Sequence, residues 1–269
     1  NEDHWLMLHI NCSFLYLHYV QYEYNTCKEI LSKYIPLAQK YYGEEHTSMV
    51  YLCKYQAFII EVDGDCNGSL ALLNKLIPIV HKIYGEVHPE TGSLLLSISH
   101  AFIKEGKFEM AREYLEKSLE MRKKFYPENH HSVGLIYKRF GFLYNSEGKY
   151  LEDIKVMKTA VKIYKNCFGE LHPVIASMYS DIGSSYVHID DLQQAERYIK
   201  KGLNIRKTFY PPDHVELSLS HISLGNLYSK TEDYDLALEH YILAHKITKK
   251  WYGKDHIEVA DTYGNLGCI

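Results

Sequence analysis

A histidine recurs every 42 residues along the chain. The seven positions are His4, His46, His88, His130, His172, His214 and His256. Before each of the last six stands an aromatic residue followed by a residue that bends the chain: Tyr42-Gly43, Tyr84-Gly85, Tyr126-Pro127, Phe168-Gly169, Tyr210-Pro211 and Tyr252-Gly253. Self-similarity at a fixed period of about 20–50 residues is typical of solenoids, propellers and other arrays. We therefore predict a single array over residues 1–269, with units near 1–43, 44–85, 86–127, 128–169, 170–211 and 212–253 and a partial unit at 254–269.

The segment from Pro89 to Tyr126 shows what one unit contains. Proline suits the first position of a helix, where its missing N–H needs no partner. Apolar residues then recur at helical spacing as far as Lys104, Glu105-Gly106-Lys107 interrupts the pattern, and a second apolar stripe runs to Phe125. Each unit is thus predicted to be helix A, a tight turn, helix B and a loop. The central turn position is occupied by Gly64, Gly106, Gly148, Asp190 and Glu232.

The unit that begins near Pro212 carries Leu224-Gly225-x-x-Tyr228, followed by Ala237, Tyr241 and Ala244. This resembles the tetratricopeptide (TPR) pattern, in which small residues lie where two helices touch and large residues fill the gaps beside them. The small column reads Ala57, Ser99, Gly141, Gly183, Gly225 and Gly267. Helical stripes without a Trp-Asp signature exclude propeller blades, and the small and large columns favour TPR over HEAT repeats. The resemblance implies an all-α fold, a right-handed TPR superhelix (α-solenoid) of about six helix–turn–helix units.

The loop form Gly-x-x-His-Pro, at Gly85 to Pro89 and Gly169 to Pro173, resembles the long-repeat TPRs of kinesin light chains. A second resemblance is to the C-terminal helical domain of SET-and-MYND lysine methyltransferases. It rests on the stretch from Phe125-Tyr126-Pro127 to Val133, on Phe140-Gly141-Phe142-Leu143-Tyr144 and on the same Gly169 loop. The chain carries neither a SET catalytic motif nor the zinc-binding cysteine pattern of a MYND domain.

Composition and charge exclude several classes of protein. A net charge of −4 argues against a general nucleic-acid or anionic-membrane binder. There is no run of 18 apolar residues and no basic start followed by an apolar segment, so neither a membrane span nor a signal peptide is predicted. The six cysteines form no CxxC pair, which favours a reducing compartment and a cytoplasmic location. Because the chain begins without Met and ends inside a helical pattern, we expect it to be a piece of a longer protein.

The histidine ladder is predicted to be structural. Metal ligands converge on an ion at about 2 Å, whereas equivalent residues of successive units lie at least about 8–10 Å apart. Capping of helix A, or a bond to the preceding loop, is the expected role of His46, His88, His130, His172, His214 and His256. His130 and His131 are adjacent, but neighbours on a helix do not face one another, so no metal site is expected there.

Catalytic motifs are also lacking in the sequence. It contains no HExxH, glycine-rich phosphate loop or GxSxG elbow. Cys27 lies in a second column of small residues, where burial is expected rather than reactivity. That column reads Cys27, Ser69, Ala111, Asp153, Ala195 and Ala237, with Asp153 the exception. We therefore predict no catalytic residue, no cofactor and no enzymatic activity.

Helix A residues line the concave face of TPR superhelices, so the helix A columns predict the binding groove. The middle units carry His100, Lys104, Lys138 and Arg139 at groove positions, and Asn145, Asn226 and Asn265 occupy others. Cationic donors on a rigid wall suit an acidic or carboxylate-bearing peptide. A solvated helix face without a ligand is the alternative interpretation of these positions.

Chaperone-binding TPRs capture a C-terminal carboxylate in a clamp, and Asn226 matches the asparagine of that clamp. Ile222 stands where the clamp has a basic residue, so the clamp is incomplete. The prediction is a non-catalytic scaffold or adaptor that binds a short, acidic segment of a protein partner. The alternatives are an accessory or substrate-access domain of a larger enzyme, such as a SET-type lysine methyltransferase, and a structural spacer.

Overall fold

The computed structural model describes residue 15, residues 24–254 and residues 256–267, so His4 lies outside the described residues. The described helices are α1 (Tyr24–Tyr42), α2 (Thr47–Val62), α3 (Cys66–Tyr84), α4 (Pro89–Lys104), α5 (Phe108–Phe125), α6 (His131–Ser146), α7 (Tyr150–Phe168), α8 (Pro173–His188), α9 (Leu192–Phe209), α10 (Val215–Lys230), α11 (Tyr234–Tyr252) and α12 (Ile257–Gly267). Within these residues no strand forms, which confirms the predicted all-α class. The even-numbered helices are the predicted A helices, and the odd-numbered ones are the B helices.

The chain divides into two compact units, residues 1–127 and residues 128–269. The division falls on the predicted boundary between the third and fourth repeats. In the first unit α1 to α5 pack in sequence order, each against the next, and in the second unit α6 to α12 do the same. Each unit is therefore a stack of helical hairpins, as a TPR fold requires. The prediction that the whole chain forms one array stays a prediction.

Helix boundaries follow the sequence signals closely. Pro89 and Pro173 occupy the first turn of α4 and α8, where a missing N–H removes no helical bond. The predicted ends at Lys104 and Phe125 are confirmed. No helix among the described residues is both long and apolar enough to cross a membrane.

The core of each unit lies between paired helices, where the small and large columns meet. A Cβ added at Gly225 would come within 2.5 Å of the Tyr241 ring, so α10 and α11 approach too closely for any larger residue. Ala237 and Ala244 of α11 are fully buried in the same contact. Isoleucines and methionines such as Ile175, Met178 and Ile182 of α8 fill the space beside these contacts.

The turns between helices A and B require a left-handed backbone at one position. Gly106 adopts φ +73°, but Asp190 and Glu232 hold the same position with φ +65° and +61°. A left-handed conformation costs an L-residue roughly 1–2 kcal/mol, and glycine avoids most of that strain. The last two turns therefore carry backbone strain that the earlier turns lack.

Replacing Glu232 with glycine is expected to raise the free energy of unfolding by about 0.5–1 kcal/mol, because relief of strain exceeds the added entropy of the unfolded chain. Urea unfolding followed by circular dichroism measures the change. The reverse substitution Gly106→Glu is the matched control and should lower stability by a similar amount. A Glu232→Gly variant no more stable than the parent would show that the turn is not strained.

Candidate binding surface

The ladder histidines form one repeated capping arrangement. Each of the six from His46 to His256 precedes a helix A, and its Nδ1 accepts a hydrogen bond from the backbone N–H two residues later, at 3.1–3.3 Å. The rings of His46, His88, His172, His214 and His256 also stack on the aromatic residue four positions earlier, with centroids 4.2–4.8 Å apart. A cap of this kind satisfies a donor that the first helical turn leaves without an intrahelical partner. The ladder thus fixes the loop to the helix that follows it.

The prediction that His130 and His131 do not face one another is wrong. The rings of His130 and His131 lie 4.3 Å apart, although helical neighbours were expected to point apart. His130 is the cap of α6, with an extended backbone at φ −76° and ψ 140°, so helical spacing does not apply to the pair. In the part of the chain that the structure describes, no three His, Cys, Asp or Glu side chains form a group able to hold a metal ion.

In the first unit, the predicted groove residues are His100 and Lys104, both on α4. His100 Nδ1 lies 2.8 Å from Glu61 Oε1 of α2, and the His100 ring stacks on Phe58 at 6.4 Å. Lys104 is exposed in the last turn of α4. A lysine that the groove prediction omits, Lys54, donates to Ser93 Oγ at 2.8 Å, and burial lowers its pKa. His100 and Lys54 thus already contact side chains of the neighbouring A helix.

In the second unit, Lys138 and Arg139 are neighbours on α6, and both are partly exposed. Lys138 Nζ lies 3.5 Å from Ser177 Oγ of α8. Burial lowers the pKa of Lys138, and the charge of Asp181 opposes that shift. Part of the Asp181 side chain is exposed. Protein atoms around it nevertheless exclude much of its water, and this desolvation raises its pKa. Lys138 of α6 thus interacts with a carboxylate on α8, and the surface carries mixed charge.

Arg206 is a structural cation that was not predicted from the sequence. It is 3 % exposed on α9. Its NH1 donates to Ser180 Oγ at 2.8 Å and to Ser220 Oγ at 2.9 Å, and its Nε lies 3.2 Å from Glu216 Oε2. The side chain therefore joins α8, α9 and α10. The signal was present in the sequence, because Arg122 stands two repeats earlier at the same position and is also buried.

Asn145 belongs to a buried polar cluster at the junction of α6, α7 and α8. Its Nδ2 donates to Ser185 Oγ at 3.0 Å and to Asp153 Oδ2 at 3.3 Å, and the Ser185 hydroxyl also donates to Asp153. Asp153 is 1 % exposed. Desolvation raises the pKa of Asp153 to about 6, against the opposing effect of both hydrogen bonds. The amide of Asn145 thus supports a buried carboxyl group.

The remaining predicted asparagines lie on α10 and α12. Asn226 is exposed beside Gly225, and its Oδ1 accepts a hydrogen bond from the Tyr241 hydroxyl at 2.6 Å. Asn265 is half-buried on α12, and Ile222 is half-buried one turn before Asn226. Seven partly or fully exposed side chains of α6, α8 and α10 make up what we call the helix A face of the second unit. They are Lys138, Arg139, Ser177, Asp181, Ser184, Ser223 and Asn226.

A family model described as "Tetratricopeptide repeat" matches residues 50–124, 132–208 and 216–269. No curated protein sequence shows significant similarity to the chain. The match covers most of the repeats that the histidine ladder delimits. It does not test the resemblance to SET-and-MYND methyltransferases, which stays a prediction.

Solved structures with the same fold include kinesin-light-chain-like proteins. BtubC (BKLC) from P. vanneervenii is 18% identical, with 87% of this chain and 92% of that chain covered and a TM-score of 0.66. TPR-like repeats of a putative kinesin light chain from Podospora anserina are 19% identical, cover 77% and 99%, and give 0.62. NprR in complex with its cognate peptide NprX is 15% identical, covers 98% and 72%, and gives 0.67. At these identities the similarity shows the fold.

Proposed function

The chain belongs to the tetratricopeptide repeat family, and from that premise we propose that its second unit binds a short, extended, acidic segment of a partner protein along the helix A face. TPR proteins act as scaffolds for protein–protein interaction, and their fold is typically non-catalytic. The proposal makes this chain an adaptor whose helices are formed before the partner arrives. A pre-formed surface loses little conformational entropy on binding, so the ordering cost falls mainly on the peptide.

The observation that carries the proposal is the pair of adjacent cations on α6 beside a row of short hydroxyl side chains on α8. Lys138 and Arg139 are partly exposed, and Ser177 and Ser184 occupy the adjoining A helix. Serine side chains leave room for a peptide backbone and can donate or accept hydrogen bonds. Charged donors at one edge of this row would orient a carboxylate.

Asp181 limits what this face can select. Its charge partly balances Lys138, so a peptide carboxylate has to compete with Asp181 or contact Arg139 directly. This favours a segment that carries an acidic residue opposite Arg139 and small or polar residues opposite the serines. Asn226 supplies an exposed amide at the next A helix. The peptide complex of NprR, a protein with the same fold, is consistent with such an occupant.

The test is selection of peptides from a random 12-residue phage library on the immobilised 269-residue chain. We expect Asp and Glu to be enriched, and a selected peptide to bind at least tenfold more weakly to Lys138→Gln/Arg139→Gln, measured by fluorescence polarisation. Glutamine removes the charges but keeps the length of the side chains. Raising the salt concentration should weaken binding because it screens surface charge.

The matched control is Lys155→Gln/Lys246→Gln, which removes two exposed charges from the B helices α7 and α11. This variant should bind the selected peptide as the parent does, and both double variants should keep the parent's thermal midpoint. Equal binding by the Lys138/Arg139 variant would contradict the helix A face as the site. Selected peptides without acidic residues would contradict the charge preference.

A further inference from the structure

A second surface of the same unit lies between the B helices α7 and α9. An open groove of about 440 Å³ forms there, lined chiefly by lysine and tyrosine side chains. We call it the basic groove, and its principal lining residues are Lys158, Lys162, Lys165, Lys201, Tyr179 and Tyr198. Its volume falls in the range of about 300–1,000 Å³ that is usual for small-molecule sites.

The lysines of the basic groove gather over two shared aromatic rings. Lys158 and Lys201 lie 5.5 and 5.4 Å from the centroid of Tyr198. Lys165 and Lys201 lie 6.0 and 5.8 Å from that of Tyr179. Each ring thus holds two ammonium groups, which brings Lys158, Lys201 and Lys165 into one continuous cluster. Cation–π contacts hold the ammonium groups in place without neutralising their charge.

The charge of this cluster is poorly balanced. Of the residues that line the basic groove, Glu170 is the only carboxylate, and it lies 3.1 Å from Lys165 with 79 % of its side chain exposed. Among the described residues Lys162 and Lys201 make no ion pair. The pKa of Lys201 is lowered by burial and by the charges of Arg197 and Lys165. Four cations beside one carboxylate form a site that an anion would stabilise.

The cluster is not a general property of the repeat. One repeat later, the positions of Lys162, Lys201, Tyr179 and Tyr198 are occupied by Asn204, Leu243, His221 and His240. One repeat earlier, Lys162 and Lys201 correspond to Glu120 and Thr159. Lys158 and Lys165 recur one repeat later as Lys200 and Lys207, so Lys162 and Lys201, which the array does not need in order to fold, are the residues that set this groove apart.

We propose that the basic groove binds a small, multiply phosphorylated molecule of the inositol polyphosphate class. Lysine binds phosphate well as a point charge, and several phosphates on a compact ring match several ammonium groups around one cavity. The hydroxyls of Tyr179 and Tyr198 can donate further hydrogen bonds to phosphate oxygens. A single carboxylate carries too little charge to balance the cluster.

The basic groove and the helix A face lie on opposite sides of α8. Tyr179, in the wall of the groove, comes two residues before Asp181, which places the two side chains about 200° apart around the helix. A phosphorylated ligand in the groove would therefore leave the helix A face open. The two sites are independent proposals, and each can fail without the other.

The test is isothermal titration of the 269-residue chain with inositol hexakisphosphate at low ionic strength. We expect one site with a dissociation constant on the order of 10 μM, and binding weakened at least tenfold in Lys162→Asn/Lys201→Leu. Those substitutions copy the residues of the next repeat, so they are compatible with the fold. Lys155→Gln/Lys246→Gln should bind within twofold of the parent.

Four outcomes would overturn the proposal. One is the absence of measurable binding, and another is an equal loss of affinity in the Lys155/Lys246 control, which would indicate non-specific attraction. A doubly phosphorylated peptide that binds more tightly than inositol hexakisphosphate would make the groove a phosphopeptide site. Sedimentation with vesicles that contain a phosphorylated phosphoinositide, without binding of the soluble molecule, would make it a membrane site. Inorganic phosphate should bind at least a hundredfold more weakly than inositol hexakisphosphate, because it carries a single phosphate.

Discussion

Replacing Arg206 with alanine is expected to lower the free energy of unfolding of the second unit by about 3 kcal/mol. The guanidinium is buried and joins α8, α9 and α10 through Ser180, Ser220 and Glu216. Its removal leaves the buried hydroxyl of Ser220 and the partly buried hydroxyl of Ser180 without their donor and Glu216 without its cation, and it opens a cavity between three helices. Urea unfolding followed by circular dichroism measures the loss.

Two neighbouring variants separate this explanation from a general effect of charge. Lys207→Ala removes an exposed charge from the next position of α9 and should change stability by less than about 0.5 kcal/mol. Arg206→Lys keeps the charge but not the planar set of donors. Its loss of stability should therefore fall between those of Lys207→Ala and Arg206→Ala. If Arg206→Ala were no less stable than Lys207→Ala, the bridge between the helices would not contribute to stability.

The second large effect is expected from Asp153→Asn, which should raise the free energy of unfolding by about 2–3 kcal/mol at pH 7.5. The pKa of Asp153 rises from 3.8 to about 6 on folding. A shift of this size corresponds to about 3 kcal/mol. Because the folded pKa is the higher one, the contribution of Asp153 to stability is fully present below pH 4 and is lost as the pH rises through 6. Asparagine is neutral throughout and keeps an acceptor for Ser185.

The measurement is the free energy of unfolding of parent and variant between pH 4 and pH 8. We expect the advantage of Asp153→Asn to shrink towards zero at pH 4. A constant difference across this range would contradict a titrating Asp153.

His221 provides a control of opposite sign. Burial, together with the charges of His240, at 3.0 Å between Nδ1 atoms, and of Lys207, lowers its pKa from 6.5 to about 4. Because the folded pKa is the lower one, the stability that His221 contributes is present above pH 6.5 and is lost as the pH falls towards 4. Between pH 6.5 and pH 4, acidification of the parent therefore stabilises the fold through Asp153 and destabilises it through His221. Asp153→Asn should therefore steepen the acid loss of stability, and His221→Tyr, which copies Tyr179 of the preceding repeat, should reduce it.

Much of the fold could be predicted from the sequence because every repeat carries its own copy of the same helix–turn–helix pattern. Pro89 and Gly106 are local signals whose effect depends on backbone geometry alone, so the ends of α4 could be predicted closely. The small column through Gly225 predicted the close approach of α10 and α11, since only a small residue fits against Tyr241. Asp153 stands where other repeats have Ala111, Ala195 or Ala237, so this departure from a small column was visible in the sequence. Its hydrogen-bond partners Asn145 and Ser185 could not be predicted.

The candidate site was harder to predict because a column gives the position of a residue and not the direction of its side chain. Lys138 was expected to be a cation open to a ligand, yet Ser177 and Asp181, about forty residues later in the chain, lie beside it. Asn145 was placed at the groove by register, whereas the structure shows its amide bonded to Asp153 and Ser185. Such contacts depend on rotamers across the helix interface, which periodicity does not encode.

The central claim is that the helix A face of the second unit receives a partner peptide. Photo-crosslinking tests it most directly, with a selected acidic peptide that carries benzoylphenylalanine at successive positions and with mass spectrometry to locate the crosslinks. We predict crosslinks on α6, α8 and α10, among them residues near Arg139, Ser184 and Asn226, and their loss in Lys138→Gln/Arg139→Gln. Crosslinks confined to the B helices α7, α9 and α11 would contradict the claim.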